Sequence, residues 1–94
     1  MQFALVAHDR PSSVARRLEL RPSHLKYLDS LGDGLLLAGP FLNDEGEGVG
    51  TIAIIEAGSL DEARQIFGRD PFALEGLFDQ VTIKPWKVTI NKMR

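Results

Sequence analysis

His8 and His24 are the only side chains of this sequence whose charge ordinarily changes near neutral pH. The sequence contains no cysteine, which excludes disulfides, thiolate zinc sites, iron–sulfur clusters and thiol nucleophiles. No serine lies in a Gly-x-Ser-x-Gly motif, and neither Gly-x-Gly-x-x-Gly nor Gly-Lys-Ser/Thr is present to bind phosphate. A general base must therefore be one of these histidines or a carboxylate.

His24 is the more informative of the two histidines. It precedes Leu28 by one helical turn and Leu31 by two, so a helix would place all three on one face. Such a histidine either packs in the core with a local hydrogen bond or faces a binding pocket. His8 stands at the end of a predicted strand, where exposure to solvent accounts for it.

Asp70 also has two interpretations. Because it precedes Pro71, its carboxylate is suited to cap a helix by accepting free backbone N–H groups. Alternatively, the same carboxylate orients His24, fixing its tautomer and stabilising its cation. Two histidines far apart in sequence predict no metal site. Arg17 and Arg21, one turn apart, are suited to an anion clamp, although such pairs more often form a solvated helix face.

The first half of the chain contains the predicted elements that position these residues. The apolar run Phe3–Ala7 predicts a strand, and a helix should begin near Val14 with Ser12 or Ser13 as its cap. Pro22 cannot donate to the helical ladder, so we expect a kink or break near Leu20. Gly32 and Gly34 should end this helix. A strand then follows at Leu35–Ala38, and Gly39-Pro40 should stop it.

The second half repeats the pattern. A third strand is predicted at Val49–Ala57, and Ser59 with Glu62 forms a capping box for a helix ending at Gly68. Asp70-Pro71 opens a short helix to about Leu77. In the last strand the apolar residues change from odd to even positions, which predicts a bulge or bend at Pro85. The odd positions are Val81 and Ile83, and the even ones are Trp86, Val88 and Ile90.

The predicted order is β-α-β-β-α-β, an α+β fold of the ferredoxin-like type with a four-stranded antiparallel sheet. Both helices then cover one face of that sheet. The third strand nevertheless places Ile52 and Ile54 on one side and Ala53 and Ile55 on the other. Since large apolar patches are rare on monomers, we expect a homodimer that packs sheet against sheet.

Length and composition limit the classes of function. The 94 residues fit one domain, residues 1–94, and the composition is that of an ordinary globular protein, with 44% hydrophobic and 26% charged residues. The net charge of −2 is spread along the chain, and without a basic stripe we expect no nucleic-acid partner. No stretch is long and apolar enough for a membrane span or a signal-peptide core, so the predicted location is the cytoplasm.

Several ordered segments resemble the YCII-related family, and together they cover nearly the whole chain. They are Arg17-Leu18, Arg21-Pro22-Ser23-His24-Leu25, Ala38-Gly39-Pro40, Gly50-Thr51, Ser59-Leu60-Asp61-Glu62-Ala63, Asp70-Pro71-Phe72 and Val81-Thr82-Ile83-Lys84-Pro85-Trp86. The resemblance implies a dimeric α/β barrel of ferredoxin-like protomers. It also implies a cleft in which the histidine and aspartate that correspond to His24 and Asp70 meet.

Two functional hypotheses follow from the residues and the resemblance. The first is a small enzyme without cofactor or metal, in which His24 moves a proton and Asp70 orients it. Gly39, Pro40 and Arg21 would bind the substrate, and a dehydrochlorinase among the family's members suggests elimination or hydrolytic chemistry on a small, perhaps aromatic, molecule. The second is a non-catalytic dimer that binds a small ligand or a protein. Oxygenase or isomerase chemistry is a weaker third option, by fold analogy alone.

Overall fold

The computed structural model describes residues 1–93. The elements are β1 (Gln2–Asp9), α1 (Val14–Ser30), β2 (Leu35–Leu42), β3 (Gly48–Glu56), α2 (Leu60–Gly68), α3 (Pro71–Leu74) and β4 (Phe78–Trp86), with a 3₁₀ turn at Gly32–Gly34. This order confirms the predicted ferredoxin-like α+β arrangement, with α3 as a short addition before β4. Within the described residues, no helix has both the length and the apolarity that crossing a bilayer requires.

The four strands form one antiparallel sheet in the order β2-β3-β1-β4. Alternate side chains of the central strands β1 and β3 face the helices and are buried. These, Ala57 after β3 and two α2 residues form the core: Phe3, Leu5, Ala7, Ala53, Ile55, Ala57, Ala63 and Phe67. The helices therefore cover one face of the sheet, as predicted.

Helix α1 runs without interruption from Val14 to Ser30, so the predicted kink or break near Leu20 is wrong. Pro22 lies inside the helix on its exposed side and removes one backbone hydrogen bond. Buried Arg17 and His24 lie on either side of it, and their contacts with other elements offset that loss.

The ends of α1 follow the sequence only in part. Ser13 is the N-cap residue, as one of the two predicted candidates, but its side chain makes no hydrogen bond to the helix. At the other end, Gly32 adopts a φ of 58°, the left-handed conformation that glycine adopts without a steric penalty. The predicted end of the helix at this glycine is confirmed.

Strand β2 continues through Gly39 and Pro40 to Leu42, so its predicted end at Ala38 is wrong. Pro40 lies opposite Thr51 of β3 in the ladder. Because β2 is an edge strand, its outer side has no neighbour that requires the N–H group missing from proline. Gly39 and Pro40 are thereby held in a regular strand rather than in a loop.

Strand β4 ends at Trp86, and the β1–β4 register is regular at Pro85, so the predicted bulge there is wrong. The single irregularity of this ladder lies at its opposite end. Since β1 begins at Gln2, opposite Trp86, it offers no partner to Val88 or Ile90. Ile83 and Trp86 therefore lie on opposite faces of one regular strand, and Val88 and Ile90 lie beyond its end.

The two helices after β3 begin as predicted. Ser59 Oγ accepts the backbone N–H of Glu62 at 3.1 Å, which confirms the capping box of α2. Helix α3 begins at Pro71 but ends at Leu74 rather than at the predicted Leu77. These starts set the position of the residue between the helices, Asp70, which belongs to the candidate site.

The outer sheet face, turned away from the helices, carries a group of apolar side chains. The ladder registers place Val6, Ile52, Ile54, Leu37 and Trp86 on this face. Leu37 is 43% exposed and Trp86 is 40% exposed. The predicted apolar character of both sheet faces is therefore confirmed.

Candidate active site

His24 lies on the buried side of α1. Its neighbour one turn later, Leu28, is also buried, and Leu31 packs against the core, so the predicted common face is confirmed. Only 6% of His24 is exposed. The other histidine, His8, is exposed on the outer sheet face, where it stacks on Phe41.

Asp70 serves as the N-cap of α3 and also contacts His24. Its Oδ1 accepts the backbone N–H of Phe72 at 3.0 Å, which is the structural role that its position before Pro71 predicts. Its two carboxylate oxygens also lie 2.9 and 2.8 Å from Nδ1 of His24. The carboxylate is 4% exposed, so both interpretations of this residue are realised in one buried group.

The carboxylate determines how the imidazole presents its nitrogens. An ionised carboxylate only accepts hydrogen bonds, so Nδ1 of His24 must carry the proton that it shares with Asp70. In the neutral ring the other nitrogen, Nε2, then holds a free lone pair. Among residues 1–93, Nε2 has no hydrogen-bond partner. The arrangement gives His24 one nitrogen held by Asp70 and one nitrogen without a partner in the described residues.

Phe72 fixes the plane of the imidazole. Its ring stacks on that of His24 with 3.8 Å between centroids and 10° between planes. Phe72 is fully buried and packs edge-on against Phe78 of β4. Neither the helical spacing of His24 nor the capping position of Asp70 predicts this contact.

A small cleft, here called the inner chamber, opens beside His24 between α1 and β2. Its volume is about 140 Å³. The predicted substrate-binding residues Gly39, Pro40 and Arg21 all line it, together with His24. Asp70 does not line the chamber and lies behind the imidazole. The structure thus brings together every residue that the sequence singled out for the site.

A second cleft, the outer chamber, adjoins the first and has a volume of about 320 Å³. Arg17, Arg21 and Pro40 line both chambers. Apolar side chains of Val14 and Leu18 line the remainder of its α1 side. The two chambers, together called the recess, therefore share these three residues as a common wall, and the outer chamber is partly apolar.

Arg17 is buried at the junction of these chambers, with 6% of the residue exposed. Its Nε donates to Asp9 Oδ2 at 2.7 Å. Its Nη2 donates to the Gly50 carbonyl and to Thr51 Oγ1, both at 2.6 Å. The guanidinium carbon also lies 4.5 Å from the centre of the Phe72 ring. This arginine is thus a fixed, charged wall of the recess.

The arginine spacing left two interpretations open, an anion clamp and the more common solvated helix face, and neither identified the surroundings of Arg17. Arg21 is exposed as the second interpretation implies, whereas Arg17 is buried. The overlooked indication was a pair of polar residues in apolar strands, Asp9 and Thr51, whose side chains needed a buried partner. Gly48 also allows this packing, since a Cβ at that position would lie 3.0 Å from Cδ of Arg17.

Tyr27 lies near the site on α1, and its hydroxyl donates to the Ile66 carbonyl at 2.5 Å. Burial raises the pKa of Tyr27 above its ordinary 10.0; Arg69 lowers that pKa and Asp70 raises it further. Its phenol is therefore neutral across the physiological range. Among residues 1–93, no group of three or more His, Asp or Glu side chains is arranged to hold a metal ion.

Comparison with known sequences gives a consistent result. The YCII-related domain family matches residues 1–87. Protein YciI of Escherichia coli is 36% identical, across 93% of this chain and 97% of its own length. An uncharacterized protein of Haemophilus influenzae is 30% identical with the same coverage of both chains.

Comparison with solved structures agrees. The 5-chloro-2-hydroxyhydroquinone dehydrochlorinase of Burkholderia phenoliruptrix, in complex with 2,5-dihydroxybenzoquinone, has a TM-score of 0.85 and 34% identity, covering 93% of this chain and 94% of that one. An antibiotic biosynthesis monooxygenase, at 12% identity and a TM-score of 0.56 over 95% and 98% of the chains, shares the fold alone. By its sequence match and by the resemblance of its fold, this chain belongs to the YCII-related domain family.

Proposed function

We propose that this protein is a small enzyme that needs no cofactor and uses His24 as its acid–base group. Asp70 orients the imidazole, and Gly39, Pro40 and Arg21 bind the substrate in the inner chamber. The reaction is an elimination or a hydrolysis on a small molecule. The observation that carries this proposal is the environment of the two imidazole nitrogens. Nδ1 lies 2.8 Å from Asp70, whereas Nε2 has no hydrogen-bond partner among the described residues, and His24 lines the inner chamber.

The size of the inner chamber supports a small substrate. Its volume of about 140 Å³ is below the roughly 300–1,000 Å³ of pockets for drug-sized ligands, which favours a molecule of one ring. The dehydrochlorinase of similar structure acts on a chlorinated hydroquinone and binds a dihydroxyquinone. We extend that class to this chain as an aromatic or quinone-like ring with oxygen substituents.

In an elimination, Nε2 of His24 takes a proton from an O–H or C–H group of the substrate. An aromatic substrate reacts as its keto tautomer, in which a ring O–H proton has moved to the carbon that bears the leaving group and that carbon is tetrahedral. The electron pair of the bond broken by His24 then forms a new double bond, and the leaving group departs from the neighbouring or conjugated carbon with its own bonding pair. The imidazolium, stabilised by Asp70, then returns the proton to solvent. A hydrolysis would use the same nitrogen to take the proton of an attacking water.

The test compares the parent with His24→Asn, assayed by chloride release from 5-chloro-2-hydroxyhydroquinone. Asparagine retains an amide that can donate to Asp70 but has no group that accepts a proton at neutral pH. We expect the rate to fall by about 10²–10⁴-fold, the usual contribution of a positioned acid–base group. His8→Asn serves as the matched control on the outer sheet face and should retain the parental rate. Equal rates in the parent and in His24→Asn would contradict the proposal.

The non-catalytic alternative has an observation in its favour. Asp70 caps α3 and His24 stacks on Phe72, so both residues also stabilise the fold. The His24→Asn assay separates the two functions, because a purely structural His24 would affect stability without a specific loss of chloride release. Melting curves of the same samples identify that outcome.

We further propose that two copies associate through the outer sheet face. The exposed apolar side chains of Leu37, Ile52 and Trp86 support this, since their combined patch is unusual for a monomer. Sedimentation at micromolar concentration should give twice the chain mass of 10.4 kDa. Ile52→Lys should shift the species to a monomer, and a monomeric parent would contradict the proposal. Location in the cytoplasm stays a prediction.

A further inference from the structure

One nitrogen of Arg17 is unused by the protein. Its Nε and Nη2 donate to Asp9, Gly50 and Thr51, and these bonds fix the guanidinium plane. Nη1 has no hydrogen-bond partner among residues 1–93. Arg17 lines both chambers, so the two N–H groups on Nη1 are the donors of this side chain that remain for a ligand.

We propose that Nη1 of Arg17 binds an anionic oxygen of the substrate, and that the site accordingly takes small organic monoanions such as phenolates or enolates. This inference rests on the proposed function, because it places the anion in the same chamber as His24. It adds a binding residue that is held rigidly in the interior, in contrast to the exposed Arg21.

The position of Arg17 relative to His24 supports a shared ligand. The imidazole centroid lies 3.8 Å from the Phe72 centroid, and the guanidinium carbon lies 4.5 Å from it. Both groups therefore contact one buried ring, and both line a chamber of about 140 Å³. A single-ring molecule there can receive a hydrogen bond from Arg17 while one of its protons faces Nε2 of His24.

The charges that line the inner chamber favour one negative charge on the ligand, because Arg17 and Arg21 line it and no carboxylate of the described residues does. Asp9 balances Arg17, and Asp70 lies against His24. Arg21 has no ion-pair partner among the described residues and leaves one cation to be neutralised. Glu47 lines the outer chamber and disfavours a second negative charge. A phenolate or enolate fits this balance, whereas a phosphate dianion does not.

The test uses two single-ring molecules that differ in charge. 2,4-Dinitrophenol is a phenolate monoanion at neutral pH, and 2,4-dinitroanisole is its neutral ether. We expect the parent to bind the ether about tenfold or more weakly than the anion, because the ether offers no charged oxygen to Arg17. Inorganic phosphate should not compete. The Nε–H resonance of Arg17, followed by NMR, should shift with the anion only.

Arg17→Lys is the informative variant, since lysine keeps a charge for Asp9 but loses Nη1. Its Kd for the anion should rise about tenfold or more, whereas the exposed control Arg16→Lys should keep the parental Kd. The inference is overturned if Arg17→Lys, melting near the parental temperature, keeps the parental Kd. It is equally overturned if the ether binds as tightly as the anion, or if the anion leaves the Arg17 resonance unmoved. These parental measurements decide the question even if Arg17→Lys does not fold.

The two proposals fail in different experiments. Chloride release that survives in His24→Asn would remove the acid–base role and leave the anion site intact. Binding of the anion that survives in Arg17→Lys would remove the anion site, while a loss of turnover in His24→Asn would still support catalysis.

Discussion

Helix α1 carries two buried polar pairs, two turns apart on one face, and they differ in what they leave free. Arg17 pairs with Asp9 at the end of β1, and His24 pairs with Asp70 at the start of α3. The first pair joins a permanent cation to a carboxylate and reaches two further acceptors in β3. The second pair joins a titratable ring to a carboxylate that also caps a helix.

The two pairs also differ in the charge that their α1 side chain carries. Arginine stays charged at all ordinary pH values, so the buried Arg17 always depends on the groups that pair with it. A histidine ring, unlike a guanidinium, has a neutral as well as a charged form. We infer that the contacts of Nε and Nη2 of Arg17 hold α1 on the sheet and leave Nη1 for a ligand, while Asp70 orients His24 and leaves Nε2 for reaction.

The largest expected effect comes from breaking the Arg17 pair. Arg17→Met leaves the Asp9 carboxylate buried without a counter-charge, and we expect the free energy of unfolding to fall by about 3–5 kcal/mol. Urea unfolding followed by circular dichroism measures this change. Replacing Asp9 as well, in Asp9→Asn/Arg17→Met, should recover part of the loss because the unpaired charge is gone.

Arg16 provides the control on the same helix. It forms a 2.8 Å ion pair with Glu75, and both side chains are about half exposed. Exposed pairs contribute little, so Arg16→Met should cost less than about 1 kcal/mol. If Arg17→Met were no more costly than Arg16→Met, the structural role assigned to the buried pair would be wrong.

A smaller effect should follow from separating the two tasks of Asp70. Asp70→Ser keeps an oxygen that can cap α3 but is too short to reach His24, whereas Asp70→Ala loses both contacts. We expect the alanine variant to be less stable than the serine variant by about 1 kcal/mol, the usual value of an N-cap. The cost of Asp70→Ser relative to the parent, about 1–3 kcal/mol, then reports the lost bond to His24.

Imidazole nitrogen chemical shifts provide the second measurement. In the parent, the neutral ring should carry its proton on Nδ1, and Asp70→Ser should release that preference. Unchanged tautomer populations together with unchanged stability would show that the His24–Asp70 contact does not orient the ring.

Helix ends were predicted well from local sequence, whereas breaks at proline were not. Residue types that act through neighbouring backbone, such as Ser59 with Glu62 and the glycine at position 32, marked helix ends correctly. Prolines did not mark breaks: Pro22 lies within α1, and Pro40 and Pro85 lie within strands. The two strand prolines are tolerated on edge strands, and edge position depends on strand order, which local sequence does not show.

The candidate site was likewise predictable only in part. The residues themselves predict the helical spacing of His24 and the capping position of Asp70, and the family resemblance suggested that the two side chains meet. The burial of Arg17 was not predictable from its spacing with Arg21, because it depends on Asp9 and Thr51 converging from two strands. A contact among residues of three elements cannot be predicted from the sequence of any one of those elements.

The smallest predicted effect is the influence of the Asp70 charge on the pKa of Tyr27. Burial is the main cause that raises the pKa of Tyr27, and Asp70 adds to it. A phenol whose pKa is raised by folding contributes stability that is complete below its unfolded pKa of 10.0 and is lost as pH rises through the folded value. The stability advantage of the parent over Tyr27→Phe should therefore narrow above about pH 10.

Because Tyr27 is the single tyrosine of the chain, tyrosinate absorbance reports its titration alone. In Asp70→Ser the midpoint should lie slightly below that of the parent and still above 10.0, since burial remains. Identical midpoints in the two proteins would show that the Asp70 charge is confined to its contacts with His24 and α3. A lower midpoint would show that the carboxylate also acts on a second α1 side chain.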